Sequence, residues 1–291
     1  MTDRVTLDIA EGVAHVRMNR PEKKNALDGG MFDGLLAAAR SLADAASVRA
    51  VVLSGQGDSF CSGLDFSSFG DMASGALDAD TESVRAAARD LSADGANRAQ
   101  QLAWLWQELP VPVIAALQGA AYGGGLHIAL GADIRFVAPD ARIAFVEITW
   151  GLVPDMSGTQ ALRRLVPLDV AKKLVFSGEP ISGERAVALH FGTELSDDPL
   201  ADAFALARTI AKRSPEAVRA AKKLLNAAGL VPLAEGLANE FRASAKLMGG
   251  KNQIEAVVAK LERRDPRFVD PEPEPASPIR SAAPGRHAPS T

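Results

Sequence analysis

The 291-residue chain predicts an α/β fold, and three observations carry that expectation. Apolar runs of strand length alternate with helix-period segments up to about Phe136. A glycine triplet, Gly123-Gly124-Gly125, closely follows one of those runs. From Ser157 onward the pattern becomes mostly helical.

Strands are predicted around Val5–Ile9, Val13–Met18, Ala50–Leu53, Val113–Leu117 and Ile134–Val137. A helix is predicted from Asp28 to about Leu42, with Leu35, Leu36 and Ala39 on one face. The polar, alanine-rich stretch from Asp71 to about Asn97 predicts a mobile loop or loose helix, continuing into Ala99–Glu108 with Trp104 and Trp106. Ser214-Pro215-Glu216 is a helix start: a cap residue, a proline at the first position and an early acid. Leu233–Met248 and Ile254–Leu261 follow as amphipathic helices. Six of the 17 prolines fall after Asp270, so that tail is expected to stay disordered.

Composition narrows the function classes. Lys+Arg 32 against Asp+Glu 36 gives a net charge of −4, which argues against a basic nucleic-acid surface. Cys61 is the single cysteine, so no intramolecular disulfide forms and a reducing cytoplasm is the expected compartment. No signal-like segment precedes the first strand, and no apolar run is long enough for a bilayer, so no membrane partner is expected. His15, His190 and His287 show no metal-ligand spacing, and no metal is expected.

The glycine triplet carries the chemistry. A helix start leaves N–H groups unpaired, with the positive end of the dipole behind them. Glycines let the backbone approach a ligand closely, so phosphate, carboxylate or a developing oxyanion would each suit the place. The dinucleotide fingerprint and the P-loop both fail, because the run Gly123–Ile128 lacks a third spaced glycine and no Lys-Ser/Thr follows. A tight helix–strand turn is the structural alternative. A second corner, Asp58–Phe66, follows the run Ala50–Leu53 and combines turn residues with Gly63. Two such corners can aim backbone N–H groups at one carbonyl oxygen.

These segments occur in a characteristic order. Asn19-Arg20-Pro21 and Lys24-Asn25-Ala26-Leu27 come first, then Phe60-Cys61-Ser62-Gly63-Leu64-Asp65, then the triplet. Phe145-Val146-Glu147, Gly151-Leu152-Val153-Pro154 and Gly158-Thr159-Gln160 complete the set. From about Val5 to Phe268 the chain resembles the crotonase (enoyl-CoA hydratase/isomerase) superfamily. The resemblance implies a ββα spiral core over 1–200, a helical trimerisation domain over 201–268, and the tail at 269–291. It also implies trimers that pair into hexamers, and a coenzyme A thioester as substrate with no permanently bound cofactor. Leu64 and Gly124 would supply the oxyanion-hole N–H groups. Lys24, Ala26, Leu27, Ser62, Gly63, Asp65, Phe66 and Gly125 would line the CoA and substrate site, with Phe241 and Lys246 in reach. The 71–97 loop would cover the acyl group.

Glu147 is the lone carboxylate in Ala144–Trp150 and shares a face with Phe145 and Thr149 by alternation. Desolvation favours a carboxylate's neutral form and suits it to general acid/base work, and the family places a catalytic glutamate here. Asp155, taken alone, is a turn residue or helix cap. Dienoyl-CoA isomerases carry an aspartate at this spacing, which implies a proton at the far end of a diene. His127 stands where hydratases have a glutamate and dienoyl-CoA isomerases an aspartate. Histidine exchanges a proton near neutral pH and can hold a water or polarise a partner; a structural histidine is the alternative. The resemblance therefore leans toward an isomerase, with a hydratase and a non-catalytic acyl-CoA binder as the other readings. Cys61, without an obvious partner histidine, is expected to be a small turn residue.

Overall fold

The structure, a computed structural model, describes residues 4–67, 70, 74, 85, 89–92 and 94–272. The expected loop at 71–97 and the expected disordered tail lie largely outside the described residues.

The main sheet has six strands in the order β1-β2-β3-β4-β6-β9. They are β1 (Val5–Ala10), β2 (Val13–Met18), β3 (Ala50–Gly55), β4 (Val113–Leu117), β6 (Ile134–Val137) and β9 (Glu194–Leu195). The β1–β2 hairpin is antiparallel and every later pairing is parallel. Both β3 and β4 are buried along their whole length. That burial explains why they appear in the sequence as unbroken apolar runs, as parallel strands covered on both faces do.

Alternation sorts the strand residues into two layers. Val16, Met18, Val51, Leu53, Ala115 and Leu117 join the larger core with helices α1 (Gly29–Ala43), α2 (Arg98–Glu108) and α3 (Gly124–Gly131). Val13, Ala50, Val52, Ile114, Ala116 and Phe136 face the other way. There they meet Ala203 and Ala207 of a later helix, Pro199–Ala211. Small residues on that helix let it lie close to the sheet.

A second, three-stranded sheet has the order β5-β7-β8, formed by Ala120–Tyr122 (β5), Arg142–Ala144 (β7) and Ile181–Ser182 (β8). These strands are too short to show a period, which is why sequence patterning leaves them out. The chain leaves β4, turns at Gln118-Gly119 and enters β5, which delivers it to the glycine triplet.

The helix ends follow ordinary capping chemistry. Asp28 accepts from the Met31 N–H at 2.9 Å, and Asn97 forms a capping box with Gln100. After α3 come α4 (Gly158–Leu165), α5 (Leu168–Ser177), α6 (Gly183–Ala188) and α7, the sheet-covering helix already described. The last three are α8 (Pro215–Ala227), α9 (Leu233–Leu247) and α10 (Lys251–Glu262). Pro215 opens α8 as expected, but Ser214 makes no side-chain cap; its hydroxyl donates to Glu216 Oε2 at 3.5 Å. Lys222 fixes α8 to the core, donating to Asp133 Oδ2 at 2.8 Å and to the carbonyls of Trp106 and Val111. No helix of the described residues is long and apolar enough to cross a membrane.

Candidate functional site

The first corner is built from the backbone. Asn25 is fully buried; its Oδ1 accepts from the Arg20 N–H, and its Nδ2 donates to the carbonyls of Gln56 and Ser59. That side chain ties the 20–27 loop to the turn after β3. The Leu27 N–H then donates to Gly63 O at 2.8 Å, and the Asp65 N–H to Leu27 O at 3.1 Å. In this bridge the intervening Leu64 N–H faces the opposite side. Lys24 and Ser62 join the same clasp, the Ser62 N–H donating to Lys24 O at 2.9 Å.

The second corner lies against the first. The Cys61 N–H donates to Ala120 O and the Tyr122 N–H to Cys61 O, at 2.9 and 3.0 Å. A Cβ built on Gly63 would lie 2.8 Å from Tyr122 O and 3.7 Å from the Gly124 nitrogen, so the two corners adjoin. Gly123 has φ +48°, ψ −123°, a conformation that favours glycine, and its N–H donates to Ala144 O. Gly124 is the first helical residue, where an N–H has no intrahelical partner. Among the described residues, neither the Leu64 nor the Gly124 N–H is bonded to a protein acceptor. Gly125 allows α3 to sit on the first corner, since a Cβ there would lie 2.4 Å from Cys61 O.

Glu147 comes to this corner on a 3₁₀ turn, Glu147–Trp150, so the alternation that put it on one face with Phe145 and Thr149 does not hold. The Thr149 hydroxyl donates to Val146 O at 2.6 Å, and Gly151 closes the turn at φ +72°. These local bonds outcompete extension. A Cβ on Gly123 would stand 3.2 Å from Glu147 Oε1, which places the carboxylate beside the triplet. Its side chain is 12% exposed, and Oε2 is buried without a hydrogen bond among the described residues.

His127, one turn into α3, has no exposure, and its Nε2 lies 3.1 Å from Glu147 Oε1. The contact is not aligned as a hydrogen bond, and neither ring nitrogen makes one among the described residues. The edge of Phe145 packs on the ring at a centroid distance of 5.6 Å. Asp155 follows in the next turn and does not cap a helix, because α4 starts from Ser157. Much of Asp155 is exposed, yet the wall around its carboxyl raises its pKa through desolvation. The Glu147 charge adds to that rise, while a hydrogen bond from its own backbone and the His127 charge oppose it. His127 and Glu147 therefore meet beside the glycine corner, and the charge of each acts on Asp155.

Arg20 and Asn25 are residues that the sequence displays within a motif without revealing their task. Arg20 donates to Asp65 Oδ2 at 2.5 Å and to Ala26 O at 3.3 Å, holding the Leu64 turn against the loop. Phe66 is exposed, and its ring meets Trp150 edge-on at 5.8 Å, linking the donor turn to the Glu147 turn. Met156 and Leu27 close over Gly124. Cys61 is buried, its thiol donates to Asn25 O, and burial pushes its pKa up to about 12, so it is no thiolate nucleophile. Phe241 and Lys246 lie on α9, which packs against α8.

Comparison with known proteins agrees with this architecture. A family model described as Enoyl-CoA hydratase/isomerase matches residues 8–271. A Mycobacterium tuberculosis protein named "Probable enoyl-CoA hydratase echA6" is 36% identical over 259 residues, covering 89% of this chain and 96% of its own length. Human mitochondrial methylglutaconyl-CoA hydratase is 31% identical over 264 residues, covering 88% of this chain and 74% of its own length. The crystal structure of an enoyl-CoA hydratase from Bacillus anthracis superposes with a TM-score of 0.81 at 29% identity, covering 91% of this chain and 98% of that one. The ordered motifs, the two adjoining glycine corners and the match across nearly the whole folded chain lead to one conclusion: the chain belongs to the enoyl-CoA hydratase/isomerase family.

Proposed function

We propose that this protein shifts the double bond of an enoyl- or dienoyl-CoA through an enolate. One observation carries the reading: the Glu147 carboxylate stands beside a corner whose Leu64 and Gly124 N–H groups have no protein acceptor among the described residues. Glu147 removes the proton at the thioester α-carbon, and the electron pair moves onto the thioester oxygen. The Leu64 and Gly124 N–H groups stabilise that oxygen; one such donor is worth about 3 kcal/mol of barrier. Asp155, whose raised pKa favours the protonated form, supplies a proton at the far end of the conjugated system. Lys24, Ala26, Leu27, Ser62, Gly63, Asp65, Phe66 and Gly125 surround the thioester and the CoA, which is the substrate and not a resident cofactor.

Hydration of a 2-enoyl-CoA is the second reading. The names of the relatives favour it, and Glu147 with Asp155 offers two carboxyls for one water. Supplying a 3,5-dienoyl-CoA and a 2-enoyl-CoA side by side, with conjugation followed by ultraviolet absorbance, separates the two. The proposal expects the diene to shift; hydration with no diene shift overturns it. Absence of both reactions, together with tight acyl-CoA binding, would mark a non-catalytic binder.

Self-association belongs to the same reading. Helix α9 has no buried residue, and Leu233, Leu237 and Phe241 on it are exposed, as are Leu225 of α8 and Leu261 of α10. An apolar surface of this extent is what a trimer or hexamer of this chain would cover.

A further inference from the structure

A buried imidazole without hydrogen bonds costs stability, because both ring nitrogens lose water and gain nothing in return. His127 is in that position, and among the described residues the one polar contact of its ring is the 3.1 Å approach to Glu147 Oε1. Its side chain has no exposure to solvent. A Cβ on Gly158 would lie 2.8 Å from His127 Nε2, so the start of α4 seals the ring, and Phe145 covers another side. Glu147 is in contact with the ring, and the Asp155 charge interacts with it. Elsewhere α2 meets α3 through Ala103 at Gly131, and the donor turn meets it through Cys61 at Gly125. The imidazole is thus fully enclosed, and the Glu147 carboxylate lies 3.1 Å from its Nε2.

We propose that His127 is a positioning residue that takes up the proton Glu147 abstracts. This rests on the reading of Glu147 as the base. The α C–H bond breaks, its proton bonds to Glu147, and the electron pair goes to the thioester oxygen. The proton then passes from Oε1 to the lone pair of Nε2, leaving a carboxylate and a ring protonated on both nitrogens. After Asp155 protonates the far carbon, the stored proton leaves through Glu147, and Asp155 is reprotonated from solvent at the open side. Atoms and charge balance without any co-reactant. A small rotation about the Glu147 side chain would align the existing contact.

The test is proton exchange at the α-carbon of a saturated acyl-CoA in heavy water, with His127→Gln and His127→Leu beside the unaltered protein. Glutamine places an amide near Nε2 but accepts no proton. We expect both variants to lose about 100-fold in exchange rate with unchanged acyl-CoA affinity, and to lose one limb of the pH profile. His127→Leu should melt at or above the parent temperature, because it removes unpartnered polar atoms. Full exchange with the parent pH profile in His127→Gln would overturn the proposal, as would failure of both variants to fold. If the unaltered protein exchanges no α-proton, the reading of Glu147 fails instead.

Discussion

Arg20 Nη1 and Asp65 Oδ2 meet at 2.5 Å across the Leu64 turn, and each side chain is less than one-fifth exposed. The Ser67 N–H and then Arg20 hold the Asp65 carboxyl down to about 2, against an ordinary 3.8. A depressed pKa stabilises the fold above the ordinary value, and that contribution is lost as pH falls toward 2. Asp65→Asn should therefore cost about 2 kcal/mol at pH 7 and flatten the acid side of the stability curve. Acyl-CoA affinity should fall with it, because the turn carrying the Leu64 N–H loses its anchor. Denaturant unfolding at several pH values and a binding titration measure both.

Glu147→Gln keeps shape and removes the base. Alpha-proton exchange and double-bond movement should fall by about 1,000-fold or more, while acyl-CoA still binds. Retained turnover would remove Glu147 from the mechanism.

For Asp155 the sign of the pH effect is reversed. Its native pKa is raised, so the folded state binds the proton more tightly than the unfolded state, and stability falls as pH rises through that window. Asp155→Asn should melt no lower than the parent at neutral pH. The diene shift should slow by about 100-fold, with α-proton exchange spared. Loss of both reactions together would place Asp155 at the α-carbon instead.

Gly125→Ala places a methyl 2.4 Å from the Cys61 carbonyl, which belongs to backbone and cannot swing away. Destabilisation of about 3 kcal/mol is expected, read as a lowered thermal midpoint. An unchanged midpoint would show that the two corners separate more easily than their bonding suggests.

Leu237→Asp combined with Phe241→Asp tests the exposed face of α9. The unaltered protein should sediment as a multiple of 30.5 kDa and the variant as a single copy.

Much of this molecule is legible before any coordinates. Val13–Met18 and Val113–Leu117 appear as strands within their sequence bounds because alternation or full burial leaves a plain pattern. Asp28 marks the start of α1 because a side-chain cap is a local event. The shared face read for Phe145, Glu147 and Thr149 by alternation fails for the same kind of reason: a hydroxyl–carbonyl bond at Thr149 and a turn at Gly151 outweigh it. Strands β8 and β9, of two residues each, carry no period at all. The His127–Glu147 contact is invisible for a different reason. It depends on how α3 and the 3₁₀ turn lie against each other, and residue types do not encode that separation.

Both proposed oxygen-binding groups belong to the main chain, and the Leu27–Leu64 and Cys61–Ala121 bridges register them against each other. Their spacing is thus independent of which side chains occupy positions 62, 64 and 66. Exchanges at Ser62, Leu64 and Phe66 would therefore leave the two proposed donor groups in register, because the bridges that hold them are made by the main chain.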